Sequence, residues 1–213
     1  MSQKRILCYG DSNTWGFLPG GAGRLCADQR WTGVCRRELG ADYTVIECGL
    51  NGRTTIYDNP NVKFRNGADA LPFALLENMP LDLAVLMLGS NDSARTDLSG
   101  VVAGVDKMVH MLLTADEWVT GSQKVWLNRE PNVLLMSPVY IHDDHPSKER
   151  VEISHALAGE LEKVAKKYGV HFMDAAKFAL PSEVDCVHIC PEDHPNLGRA
   201  VAEKIRSIFE DKA

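Results

Sequence analysis

A serine, an aspartate and a histidine stand where they could do nucleophilic chemistry together. Ser12 follows a short apolar run in Gly10-Asp11-Ser12-Asn13-Thr14, and Asp185 precedes His188 by three residues in Asp185-Cys186-Val187-His188. A serine hydroxyl attacks poorly until a neighbouring base takes its proton, and the base needs an acid to orient it. A three-residue spacing lets a carboxylate reach the imidazole of its own turn. Two further residues suit the negative charge that such an attack creates. Gly52, in Gly49-Leu50-Asn51-Gly52-Arg53-Thr54-Thr55, lets a backbone N–H come close to an oxygen, and Asn91, in Gly89-Ser90-Asn91-Asp92, carries an amide donor. The Ser12 N–H is a third donor. Each residue also has an ordinary reading: serine caps helices, glycine turns, asparagine closes Asx-turns, and Asp-x-x-His recurs by chance in a chain with 7 histidines.

The elements that would bring these residues together are legible from periodicity. Residues 4–9, 43–48, 83–88, 132–137 and 170–174 are short apolar runs; the first three end at Gly10, Gly49 and Gly89 and the fourth at Pro138. Their length, β-branching and terminal breakers predict buried strands. Helical stripes separate them. One holds Trp31, Val34, Cys35 and Leu39 after the cap candidate Asp28; a second runs Val101, Val102, Val105, Met108, Val109 and Leu112. A third, begun by Ser147 and stopped by Gly169, holds Val151, Leu157, Leu161, Val164 and Ala165; the last holds Leu197, Val201, Ile205, Ile208 and Phe209, starting near Pro195 or Asn196. Alternating strands and helices predict a three-layer α/β/α fold, with a flavodoxin-like five-stranded parallel sheet of order 2-1-3-4-5. Ligands in such sheets bind beyond the carboxyl ends of the strands. All the segments that carry chemistry lie at those ends.

Composition removes several classes of function. A chain of 213 residues with 45% hydrophobic and 24% charged residues reads as one globular domain over 1–213. A net charge of −6 repels phosphate backbones, so no nucleic-acid partner is expected. No apolar run reaches the ~20 residues of a membrane span, and the start carries no secretion signal, so the expectation is a cytoplasmic protein without a membrane partner. The 6 cysteines include no Cys-x-x-Cys and read as thiols, Cys186 and Cys190 among them. No metal or cofactor is expected: residues 142–145 (HDDH) read as a polar lid or oligomer contact, because adjacent side chains rarely all point inward. The phosphate-binding glycine motifs are absent, and acidic Asp11 disfavours phosphate, so a nucleotide- or flavin-binding module is a remote alternative. The G-x-S-x-G turn of the α/β-hydrolases is absent too.

The segments GDSNT, GLNGRTT, GSND and DxxH resemble the four blocks of the SGNH, or GDSL-type, hydrolase family, and they span Gly10 to His188. RILCYGDSNTWG, VIECGLNGRTT, PLDLAVLMLGSND and DCVHICPEDHPNLG are similar to its small cytoplasmic arylesterase and acyltransferase branch. The resemblance implies the SGNH fold, with Ser12 as nucleophile, His188 as base and Asp185 as acid. It assigns the oxyanion hole to the Ser12 N–H, Gly52 and Asn91, with Gly49 the fallback for Gly52. Asp11, Asn13 and Trp15 are expected beside the substrate; Asn13 stands where this branch commonly carries leucine. The implied reaction is hydrolysis of small short-acyl, acetyl or aryl esters through an acyl-enzyme, with possible transfer to alcohols. Deacetylation of carbohydrate or xylan and thioester cleavage are alternatives on the same triad. The branch also implies a homo-oligomer.

Overall fold

Runs of Leu, Val, Ile and Met that are apolar at nearly every position form strands buried on both faces, which is the pattern of a parallel sheet. In the computed structural model these are β1 (Lys4–Gly10), β2 (Tyr43–Gly49), β3 (Leu83–Met87), β4 (Val133–Ser137) and β5 (His171–Asp174). The structure describes residues 3–21, 23–119, 121–127 and 130–210. Every neighbouring pair is parallel and the order is β2-β1-β3-β4-β5, as the periodicity predicts. Gly10 is in register with Gly49 on one side and Met87 on the other, so three loops leave a single rim side by side.

Among the described residues six α-helices flank the sheet: α1 (Ser12–Trp15), α2 (Trp31–Leu39), α3 (Gly67–Asn78), α4 (Leu98–Leu113), α5 (Lys148–Tyr168) and α6 (His194–Glu210). One core joins Leu71, Val105, Met108 and Leu157 of α3–α5 to Leu7, Leu86 and Leu135 of the sheet. The other joins Trp31, Leu197, Val201 and Ile205 of α2 and α6 to Ile6, Val85 and Leu134. Ser147 and Gly169 cap α5 as expected, the serine accepting from Arg150 N–H.

Three local expectations are corrected. Asp28 does not cap α2. Arg30 occupies that position without a side-chain cap bond, and the buried ring of His194 accepts the Trp31 N–H at 3.2 Å instead. α6 begins at His194, slightly before the expected start. The crossover helix α3 has no counterpart in the sequence reading. Its apolar residues surround it, Pro72 lies inside it and Phe73 is 69% exposed, so no single stripe marks it. Between α4 and β4 lie a short 3₁₀ turn, Ala115–Trp118, and Trp126, whose indole N–H donates to Leu112 O; positions 120, 128 and 129 lie outside the described residues. No helix among the described residues is long and apolar enough to cross a membrane.

Candidate active site

Ser12 is the first residue of α1 and not its cap. Asp11 holds the cap position and accepts the Asn13 N–H at 2.9 Å, which leaves the serine hydroxyl free of helix duty. Ser12 Oγ lies 2.9 Å from His188 Nε2, and His188 Nδ1 lies 2.8 Å from Asp185 Oδ2. The second carboxylate oxygen of Asp185 accepts the N–H groups of Val187 and His188, at 3.2 and 3.0 Å. Burial raises the Asp185 carboxyl, but the backbone N–H and ring of His188 and the Val187 N–H outweigh it and hold it below the usual carboxylate range. An aspartate kept ionised there fixes the imidazole with its free nitrogen toward the serine. Phe17 packs on that imidazole with ring centroids 4.4 Å apart. The arrangement can carry a proton from Ser12 to His188.

Asn13, expected beside the substrate, is only 2% exposed and faces the protein. Its Oδ1 accepts the Ile189 N–H at 2.9 Å, and its Nδ2 reaches Val187 O at 3.5 Å. It thus grips the chain on both sides of His188. Trp15 also departs from expectation: its ring lies under the Arg24 guanidinium at 4.8 Å, outside the cleft. Asp11 is 1% exposed, and burial pushes its carboxyl up to about 6. It sits behind the serine and touches Asn91 Nδ2 at 3.4 Å, so it shapes the loop without facing the cleft.

Ser12, Asp185 and His188 share one cleft of about 340 Å³ with Gly52 and Asn91. Gly52 has φ +73°, a conformation that glycine adopts without strain. Asn91 Nδ2 donates to Arg53 O at 3.0 Å in addition to its long contact with Asp11. The loops of Gly52 and Asn91 are pinned to each other. Buried Asp92 accepts the Thr55 N–H at 2.9 Å and its hydroxyl at 2.5 Å. Gly49 lies outside the cleft lining and has another cause: a Cβ there would sit 2.2 Å from Trp15 N, so it is a close-approach glycine between β2 and α1. Phe17, Asn51, Val187 and Arg150 complete the cleft. None of the four stood out in the sequence, since each acquires its place only through the fold.

Among the described residues no group of three His, Cys, Asp or Glu side chains is arranged to hold a metal ion. In the 142–145 segment His142 Nδ1 accepts the Asp144 N–H, and His145 Nδ1 accepts the Ser147 N–H. Cys186 and Cys190 are free thiols.

The sequence matches the model of the GDSL-like lipase/acylhydrolase family over residues 8–197. The fold is similar to that of the aryl esterase of M. smegmatis, with a TM-score of 0.88 and 36% identity over 96% of this chain and 99% of that one. It is similar to a carbohydrate acetylesterase from Sinorhizobium meliloti, with a TM-score of 0.88 and 32% identity over 97% of this chain and 100% of that one. A lipase/acylhydrolase from Enterococcus faecalis, at 18% identity and a TM-score of 0.70 over 96% of each chain, shares the fold. No curated protein matches the sequence.

Proposed function

The chain belongs to the GDSL-like lipase/acylhydrolase family and is a carboxylic ester hydrolase; from that premise we propose that it cleaves small esters of short acyl groups through an acyl-enzyme on Ser12. The observation that carries this reading is the continuous chain from Ser12 Oγ to His188 at 2.9 Å and on to Asp185 at 2.8 Å. His188 takes the Ser12 proton as Oγ bonds to the ester carbonyl carbon. The carbonyl π electrons move to oxygen, and that oxyanion is held by the Ser12 and Gly52 N–H groups and Asn91 Nδ2. One Asn91 amide hydrogen is held by Arg53 O, and the other is the one this reading gives to the oxyanion. The C–O bond to the alcohol then breaks as His188 returns the proton to the leaving oxygen. Water, deprotonated by the same base, releases the acid.

The cleft volume of about 340 Å³ supports a short acyl chain, and the aryl esterase relative supports an aryl leaving group. A sugar acetate is a second reading, favoured by the acetylesterase relative and by polar Asn51 in the cleft. Transfer of the acyl group to an alcohol in place of water, a cytoplasmic site of action and self-association belong to the same proposal. Rates with p-nitrophenyl acetate and butyrate, wild type beside Ser12→Ala, test it. A folded Ser12→Ala protein is expected to lose turnover by about 10⁴-fold or more. Equal rates in the two proteins remove Ser12 as nucleophile. Acetate release from acetylated sugars, measured beside the aryl esters, separates the two substrate readings.

A further inference from the structure

α5 opens on a cation. Arg150 is the third residue of the helix, in a turn where the helix dipole favours anions and works against a guanidinium. Its half-buried side chain lines the cleft that holds Ser12 and His188. Nε donates to Ser93 Oγ at 3.1 Å, and Nη2 has only a long contact, 3.5 Å, with Ser90 O. Among the described residues no carboxylate pairs with it. Asp185, the acid in the same cleft, is committed to His188. Exposed Arg95 adds a second positive charge close enough to act with burial in pushing the Arg150 guanidinium down, and it too has no carboxylate partner among the described residues.

His145 supplies an independent sign. Its Nδ1 accepts the Ser147 N–H at 3.1 Å, so the neutral ring carries its proton on Nε2. That nitrogen stands 3.4 Å from Arg150 Nη1. Two donors then face each other with no acceptor between them. Apart from Asp185, no acidic residue among the described residues lines this cleft. A desolvated guanidinium left without its counter-charge is costly, and an arriving carboxylate would match its planar fork.

We infer that Arg150, with His145 beside it, binds a carboxylate on the alcohol portion of the substrate, so that the preferred ester is a short-acyl ester of a carboxylate-bearing alcohol or phenol. The inference rests on the esterase reading: with a short acyl group, the part of the substrate long enough to carry an anion is the alcohol. Neutral esters would leave the guanidinium unpaired and lose the contact.

The test compares kcat/KM for 4-acetoxybenzoate and its neutral methyl ester, and for the 3-acetoxy pair, in wild type, Arg150→Met and Arg150→Lys. In at least one pair Arg150→Met is expected to lower the anion-to-neutral ratio by about tenfold to hundredfold, the scale of one charge-assisted hydrogen bond, mainly through KM. Arg150→Lys is expected to fall between. Ratios that move by less than about threefold in both pairs overturn the inference. Where Arg150→Met does not fold, competitive inhibition of the wild type decides. Benzoate is expected to bind at least about tenfold more tightly than benzamide, an advantage that about 1 M salt screens away; equal inhibition by the two overturns the inference. Wild type that hydrolyses neither ester of either pair removes the aryl-ester reading and this one together. Neutral-ester hydrolysis with an unmoved ratio strikes only the carboxylate site.

Discussion

Asn13 touches the loop of the base from below, through Ile189 N–H and Val187 O. We expect it to act as a positioning residue. Asn13→Leu installs the residue common in the resembling branch, keeps most of the volume and removes both contacts. The buried Ile189 N–H is then left without a partner, a loss of about 1–3 kcal/mol in unfolding free energy. A His188 that wanders from Ser12 lowers kcat by about tenfold or more while KM changes little, because transition-state geometry suffers and binding does not. Asn13→Asp retains an acceptor for Ile189 N–H and is expected to recover part of kcat. A fall in KM affinity with kcat intact would argue for the substrate contact first expected of this residue. Residue type and spacing marked Ser12, Asp185 and His188 as candidates, the resemblance supplied their roles, and the fold brings the three within hydrogen-bond reach. The work of Asn13 was not legible, since its partners lie more than 170 positions away and nothing local marks them. Arg150 reads in sequence as an ordinary polar helix start for the same reason.

The elements themselves were legible where one face of a helix or both faces of a strand are apolar, and illegible where burial is uneven. α3 is the example: Leu71 and Leu75 are buried while Phe73 and Leu76 are exposed, and Pro72 interrupts a helical reading. Two glycines that look alike in the GLNGRTT segment separate at this scale. Gly49 has ordinary backbone angles but no room, since an added methyl meets Trp15 N at 2.2 Å and Thr14 C at 2.7 Å. Gly52 has room, with its nearest neighbour 3.8 Å away, but a left-handed φ. Gly49→Ala therefore pushes α1, and Ser12 with it, off the rim. It should cost about 1–3 kcal/mol of stability and most of the turnover. Gly52→Ala pays the left-handed penalty, about 1–2 kcal/mol, and leaves α1 where it is. Urea unfolding beside p-nitrophenyl acetate turnover distinguishes the two. If Gly49→Ala retained full activity, the close packing of β2 on α1 would not be what holds the serine. Asn91→Ala, which on the proposed reading removes an oxyanion donor along with the bond to Arg53 O, should lose about 10²–10³ in turnover.

Over the whole molecule, the parallel order places the ends of β1, β2 and β3 on one rim, and this was legible because the strand–helix alternation admits few topologies. Its energetic consequence was not. Folding buries two titratable groups whose effects on stability run in opposite directions. Burial raises the Asp11 carboxyl from 3.8 to about 6, so between those values the native protein holds a proton that the unfolded chain has released, and stability falls as pH rises. Burial lowers the His194 imidazole from 6.5 to about 4, so between those values the unfolded chain takes a proton that the native protein refuses, and stability falls as pH falls. Asp92, also raised by burial, adds to the Asp11 side. The wild-type profile through pH 4–6 is thus a difference of opposed slopes, each worth on the order of 3 kcal/mol across its window. Single variants separate them. Relative to wild type, Asp11→Asn should gain stability as pH rises from about 4 to 6 and keep that gain at pH 7. His194→Gln, whatever it loses by uncapping α2, should gain relative to wild type as pH falls from about 6.5 to 4. Denaturant unfolding of the three proteins across this range reads the sign of each slope. Curves that stay parallel to wild type would mean that neither group is held away from its ordinary titration by the fold.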